Sequence, residues 1–169
     1  IASFGGKAAF IGKVATDDFG KIFGHDLRAA GVAFDTAAAE GDEPTARSLV
    51  LVTPDGERTM NTFLGVSPDL DQGAIDADAI KAAKIVYLEG YLFDRPEAKA
   101  AFRQAASIAR AAGRQVALTL SDGFCVDRHR DEFLALIRDG VDILFANEDE
   151  ITALYQTKSF DEAMSQVTN

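Results

Sequence analysis

Two hydrophobic periods alternate along the chain. The apolar run AAFIGKV at 8–14, bounded by glycines, predicts a buried strand, and Asp17 or Asp18 then caps a helix that runs through Ala30 and is closed by Gly31. The pattern changes after this β-α unit. Residues 48–53 and 58–64 are β-prone and are separated by Pro54, Asp55 and Gly56, which predicts an antiparallel excursion over 33–64. Helix and strand then alternate again. Helices are predicted at 76–83, 96–112, 130–138 and 148–155, with strands at 84–88, 115–120 and 142–146. Pro96 lies in a first helical turn, Gly113 follows a helix end, and Ser159 and Glu162 have the spacing of a capping box.

Strands separated by helices long enough for crossovers imply an α/β fold: a doubly wound, mainly parallel, Rossmann-like sheet with right-handed connections. The expected division is a core of 1–32 and 65–169 with 33–64 inserted as a small antiparallel β element. Ligands collect at the carboxyl ends of strands in such sheets, which makes 89–93, 121–125 and 147–150 the candidate site segments. Both ends read as cut, because Ile1 opens almost directly into an apolar run and the last helix stops after about two turns.

Composition narrows the function classes. With 47% hydrophobic and 26% charged residues, the chain has an ordinary globular make-up. The 17 basic residues are scattered among 27 acidic ones for a net charge of −10, so nucleic-acid binding is not expected. Cys125 is the only cysteine, which excludes an intramolecular disulfide and a cysteine-built zinc site and fits a reducing cytoplasm. No apolar run approaches the roughly 20 residues that span a bilayer, so a soluble protein without a membrane partner is expected. His25 and His129 are far apart and neither sits in a nucleophile motif. Gly5 and Gly6 lack the spacing of a phosphate loop and read as a helix stop, while Asp17 and Asp18 read as helix caps rather than metal ligands.

Three stretches in this order, GGKAAFIGKVATDDFG, PTARSLVLVTPDGERTMNTFLG and VDILFANEDEITALY, resemble the PfkB/ribokinase family of kinases. TLSDGFCVDRHRDEF leading into VDILFANEDE is most similar to adenosine kinases and their bacterial sugar-kinase relatives. The resemblance implies a ribokinase-like fold whose 33–64 excursion is a lid. It also implies ATP and Mg²⁺ as cofactors, transfer of a phosphoryl group to a primary hydroxyl of a nucleoside or sugar, and a homodimer formed through the lid. Adenosine is the expected acceptor. A ribokinase- or fructokinase-type sugar is the alternative, and a non-catalytic nucleotide- or partner-binding module is a reading of another class. Such kinases carry their catalytic Asp and anion hole on a GAGD-like segment, which the resemblance sets outside these residues, so no catalytic residue is assigned within them.

The resemblance also implies site residues. Asn147 and Glu150 match an N-x-x-E motif that organises the Mg²⁺ and phosphate region, Glu150 acting on the metal through water; the same spacing is a capping box, and both roles fit at once. Tyr91 and Phe124 are expected to wall the substrate pocket, where an aromatic ring can stack on a purine, with core packing as the alternative for each. Thr45 and Arg58 lie in the lid, from which Arg58 would reach the phosphates on closure. The competing readings are a strand-forming Thr45 and a solvated Arg58.

Overall fold

The computed structural model describes residues 1–167 and divides the chain into two compact units, Ile1–Ala74 and the residues from Ile75 onward. In the first unit, β1 (Ala8–Ala9) pairs in parallel with β2 (Val32–Ala33), and α1 (Asp18–Ala29) connects them. The strand expected over 8–14 is therefore short. Its extended path continues as separate bonds, Phe10 N to Ala33 O and Ala39 N to Val14 O, because the partner chain diverges between residues 33 and 39. The parallel partner at 32–33 also lies where the antiparallel excursion was expected to begin. Phe10, Phe23 and Phe34 pack edge-on or tilted at centroid separations of 5.7–5.9 Å and hold α1 on this pair. Gly5 closes a 3-10 turn at Ala2–Phe4 with φ of 81°, the helix stop expected there.

The excursion itself is a hairpin. β3 (Arg47–Val52) and β4 (Arg58–Phe63) pair antiparallel, with Arg47 opposite Phe63 and Val52 opposite Arg58. Both of its faces are apolar and exposed: Leu49, Leu51 and Phe63 lie on one, Val50, Val52 and Met60 on the other. At its base the two chains nearly touch. Gly65 has φ of 49°, and a Cβ there would stand 1.9 Å from the Pro44 carbonyl oxygen, so only glycine lets the strands converge.

The second unit follows the predicted alternation. α2 (Ala77–Ala82), capped by the Asp76 side chain, leads into a parallel sheet of β5 (Ile85–Glu89), β6 (Gln115–Thr119) and β7 (Ile143–Phe145), ordered β5-β6-β7. α3 (Pro96–Ala111) and α4 (Gly123–Gly140) are the crossovers. Right-handed connections between adjacent strands put both on one face, over Leu88, Val116 and Leu118. The opposite face carries Ile85, Tyr87 and Phe145, which remain exposed. α4 begins seven residues before the helix expected at 130–138, and His129 (φ −128°, ψ 21°) breaks it into two pieces, the second of which is the one predicted. α5 (Glu148–Tyr155) and α6 (Phe160–Val167) complete the unit.

Candidate substrate and nucleotide site

Glu89, Thr119 and Phe145 stand side by side in the sheet register, so the segments that follow the three strands emerge along one edge. The first is the 3-10 turn Gly90–Asp94. It presses against the end of β6: a Cβ on Gly90 would meet Thr119 O at 2.5 Å and Ser121 Oγ at 2.8 Å. The second follows β6, where Ser121 takes φ of 75°, a left-handed conformation that costs a serine energy and is held by its surroundings. Its hydroxyl donates to the Glu89 carboxylate. Asp122 then caps α4 by accepting from Cys125 N at 2.6 Å.

Tyr91 projects from the first turn and is 55% exposed. Partial burial, followed by the nearby charge of Asp122, raises the phenol above its ordinary value, so it stays protonated. Phe124 opens α4 and is 78% exposed, well outside the core. Cys125 beside it is fully buried, and that burial pushes its thiol up to about 11, an unreactive state.

The third segment carries Asn147 and Glu150. Asn147 Oδ1 accepts from Glu150 N at 2.8 Å, while the Glu150 carboxylate accepts from Asn147 N at 3.2 Å and from Asn147 Nδ2 at 2.8 Å. This is a complete capping box, tightened by a third bond. Glu150 is only 6% exposed, and each of its oxygens already has a protein donor. Mg²⁺ keeps several waters and takes one or two carboxylates. Glu150 fits that ion as a single carboxylate acting through water, not as part of an all-protein cage, and no group of three His, Cys, Asp or Glu side chains suited to a metal occurs among the described residues.

Thr45 and Arg58 belong to the other unit. Thr45 is 5% exposed, and its hydroxyl donates to Asp17 Oδ1 at 2.6 Å while accepting from Ala15 N at 2.9 Å. Asp17 Oδ2 takes Thr45 N as well, and Oδ1 takes Gly20 N as the cap of α1. These bonds, Thr45 Oγ1 foremost, hold the Asp17 carboxyl below its ordinary value. Arg58 is exposed at the start of β4 and has no ion pair among the described residues.

Sequence reasoning thus located the edge but passed over Glu89, Ser121 and Asp122 as individual residues. Glu89 was visible as the one acid ending an apolar strand. The strain at Ser121 has no sequence signal. Asp17 was assigned as a cap, which it is; its second role as a clamp on Thr45 depends on a contact 28 residues away.

Residues 1–169 match the family described as pfkB family carbohydrate kinase. The fold superimposes with a TM-score of 0.93 on the adenosine kinase from Sinorhizobium meliloti, at 54% identity over 98% of this chain and 51% of that one. A probable sugar kinase protein from Rhizobium etli CFN 42 gives the same TM-score of 0.93 at 51% identity, over 98% of this chain and 51% of that one. Among curated proteins, the probable chloroplastic fructokinase-6 of Arabidopsis thaliana is 33% identical over 91% of this chain and 41% of its own length. The chain therefore spans about half the length of the relatives it matches, and the α/β fold expected from the sequence is borne out. With its whole length matched, the chain belongs to the pfkB family of carbohydrate kinases.

Proposed function

We propose that the complete protein transfers the γ-phosphoryl group of ATP to a primary hydroxyl of adenosine. The observation that carries this reading is the exposed Tyr91 ring at the sheet edge, on the turn that follows the hydrogen-bonded Glu89 and Ser121 pair. It offers an aromatic face for a purine and oxygen partners for ribose hydroxyls. Phe124, two residues after Asp122, adds a second exposed ring. The 54% identity to an adenosine kinase supports the same acceptor.

In this reading Asn147 and Glu150 order the waters of Mg²⁺ near the phosphates. Residues 33–64 serve as the lid of the complete enzyme, Arg58 is its charge for the transferring group, and Thr45 acts from behind by fixing the lid's base. The base and anion hole lie on residues other than these, so residues 1–169 alone are expected to show no turnover. The exposed apolar hairpin faces support a homodimer formed through the lid. No helix among the described residues is long and apolar enough to cross a membrane, and the lone Cys125 suits a cytoplasmic enzyme.

A sugar acceptor is the second reading. The Glu89 and Ser121 oxygens suit a hydroxyl-rich ring without a base, and a sugar kinase neighbour stands at 51% identity. Product analysis of the full-length protein with ATP and adenosine, ribose or fructose separates them. The adenosine reading requires the highest kcat/KM with adenosine. A preference for fructose or ribose overturns it, and nucleotide binding without turnover of any acceptor returns the protein to a binding module.

A further inference from the structure

We propose that His129 is a positioning residue for the substrate edge: held as the neutral Nε2–H tautomer, it fastens the Gly90–Asp94 turn, and with it Tyr91, to the break in α4. The functional half of this proposal rests on the reading of that edge as the acceptor site. The tautomer does not.

The ring sits where three elements meet. His129 Nε2 lies 2.7 Å from Asp94 Oδ1 at the end of the turn, and Nδ1 lies 3.2 Å from Lys99 Nζ on α3. An ammonium has donors only, so Nδ1 must present its lone pair to Lys99. The single proton of the neutral ring is then on Nε2, where it donates to the Asp94 carboxylate. No other assignment satisfies both contacts. The remaining charged groups agree with it. Lys99 is ion-paired with Glu132 on α4, Glu132 also receives Arg103 at 3.4 Å, and Arg128 grips Asp94 through Nε and Nη2, each at 3.1 Å. Glu132 Oε2, 3.6 Å from Nδ1, is the acceptor a protonated ring would turn to, and Lys99 would then have to move away.

The break in the helix serves this contact. His129 leaves helical geometry with φ of −128°, and its side chain is largely buried above Phe93, at a centroid separation of 6.4 Å. Phe93 belongs to the same turn as Tyr91 and stacks on Phe133 of α4 at 4.3 Å. The turn is therefore held from below by Phe93, at its start by Cys125 Sγ on Gly90 O at 3.4 Å, and at its end by His129 on Asp94. Tyr91 is the one ring of the turn left facing outward. An imidazole tautomer fixed by its second partner is the arrangement by which histidines orient functional groups at one remove.

Two experiments on the full-length protein test this. Long-range ¹⁵N–¹H correlation spectra of the unaltered protein at neutral pH should show the His129 Nδ1 unprotonated and Nε2 protonated; an Nδ1–H tautomer or an imidazolium overturns the proposal, and no variant needs to fold for that test. His129→Asn keeps an acceptor near Nδ1 for Lys99 but cannot reach Asp94, whereas His129→Gln restores a donor at the Nε2 position. With adenosine and fructose as acceptors, His129→Asn should raise the KM of the preferred one by about ten-fold with kcat within about two-fold, and His129→Gln should recover it. A folded His129→Asn protein with unchanged KM overturns the positioning role. Tyr91→Leu with unchanged KM overturns the acceptor-site reading instead, and the spectra still stand.

Discussion

At the scale of single residues, the capping box and the proposed metal role of Asn147 and Glu150 can be pulled apart, but not as cleanly as their spacing implies. Gln normally serves at the third position of a capping box as well as Glu. Here both carboxylate oxygens accept from Asn147, whose own Oδ1 is fixed by Glu150 N, so a Gln amide must turn its NH₂ toward one of two donors. Glu150→Gln should therefore cost about 1 kcal/mol in denaturant unfolding and, in the full-length enzyme, raise the Mg²⁺ concentration for half-maximal activity. Asn147→Ala removes the cap and should cost about 1–2 kcal/mol. A Gln variant with unchanged Mg²⁺ dependence would leave the motif as a helix cap alone. This pair was legible because both partners sit three residues apart. Thr45 was not, because the bonds that bury it come from Asp17 and Ala15, about a helix and a loop away.

At the scale of elements, the sequence was most readable where a local stop signal exists and least where the partner decides. Gly31 and Gly113 marked helix ends in advance. The start of α4 was missed because GFCVDRH begins with glycine and has no helical period, while what carries it is the Asp122 cap and the anchoring of Asp94 by Arg128 and His129. These ion pairs also give the unit a definite response to acid. The His129 donor and then Arg128 hold Asp94 below its ordinary 3.8, and Lys99 holds Glu132 below its ordinary 4.5. A depressed carboxyl contributes stability that is present above its unfolded value and lost as pH falls through the folded one. Asp94→Asn should therefore flatten the loss of stability below about pH 4, as read from unfolding midpoints across pH. The hairpin base makes a second element-level test. Gly65→Ala forces a Cβ to 1.9 Å from Pro44 O at a left-handed φ, and should cost at least about 2 kcal/mol and expose the hairpin to proteolysis.

At the scale of the whole molecule, the surface divides into a well-charged majority and a few apolar areas. A net charge of −10 opposes indiscriminate association, yet Val50, Val52 and Met60 on one hairpin face and Leu49, Leu51 and Phe63 on the other stay exposed. If the hairpin is a dimer contact, Val50→Lys should convert the full-length protein to a monomer by sedimentation velocity without lowering its thermal midpoint by more than a few degrees. An unchanged assembly would remove the hairpin from the interface. The sequence could announce the alternating strands but not this double exposure, since a strand with apolar residues on both faces reads as buried.

The clamp between Asp17 and Thr45 has a consequence in time. The hairpin closes a local register between residues 47 and 63, whereas the parallel ladders join residues 24 to 30 apart, Ala8 with Val32, Ala117 with Ile143 and Ile85 with Gln115. Local pairing forms in microseconds and long crossovers later, because loop closure must precede their first bond. The hairpin is thus an early structure, closed at its base by Val66 N on Pro44 O at 3.1 Å but not tied to α1 until Asp17, 28 residues before Thr45, arrives on a formed helix. An interaction made that late belongs after the transition state. Asp17→Ala should leave the refolding rate near that of the parent and speed unfolding instead, so that stopped-flow traces of the two proteins overlay in one direction and diverge in the other.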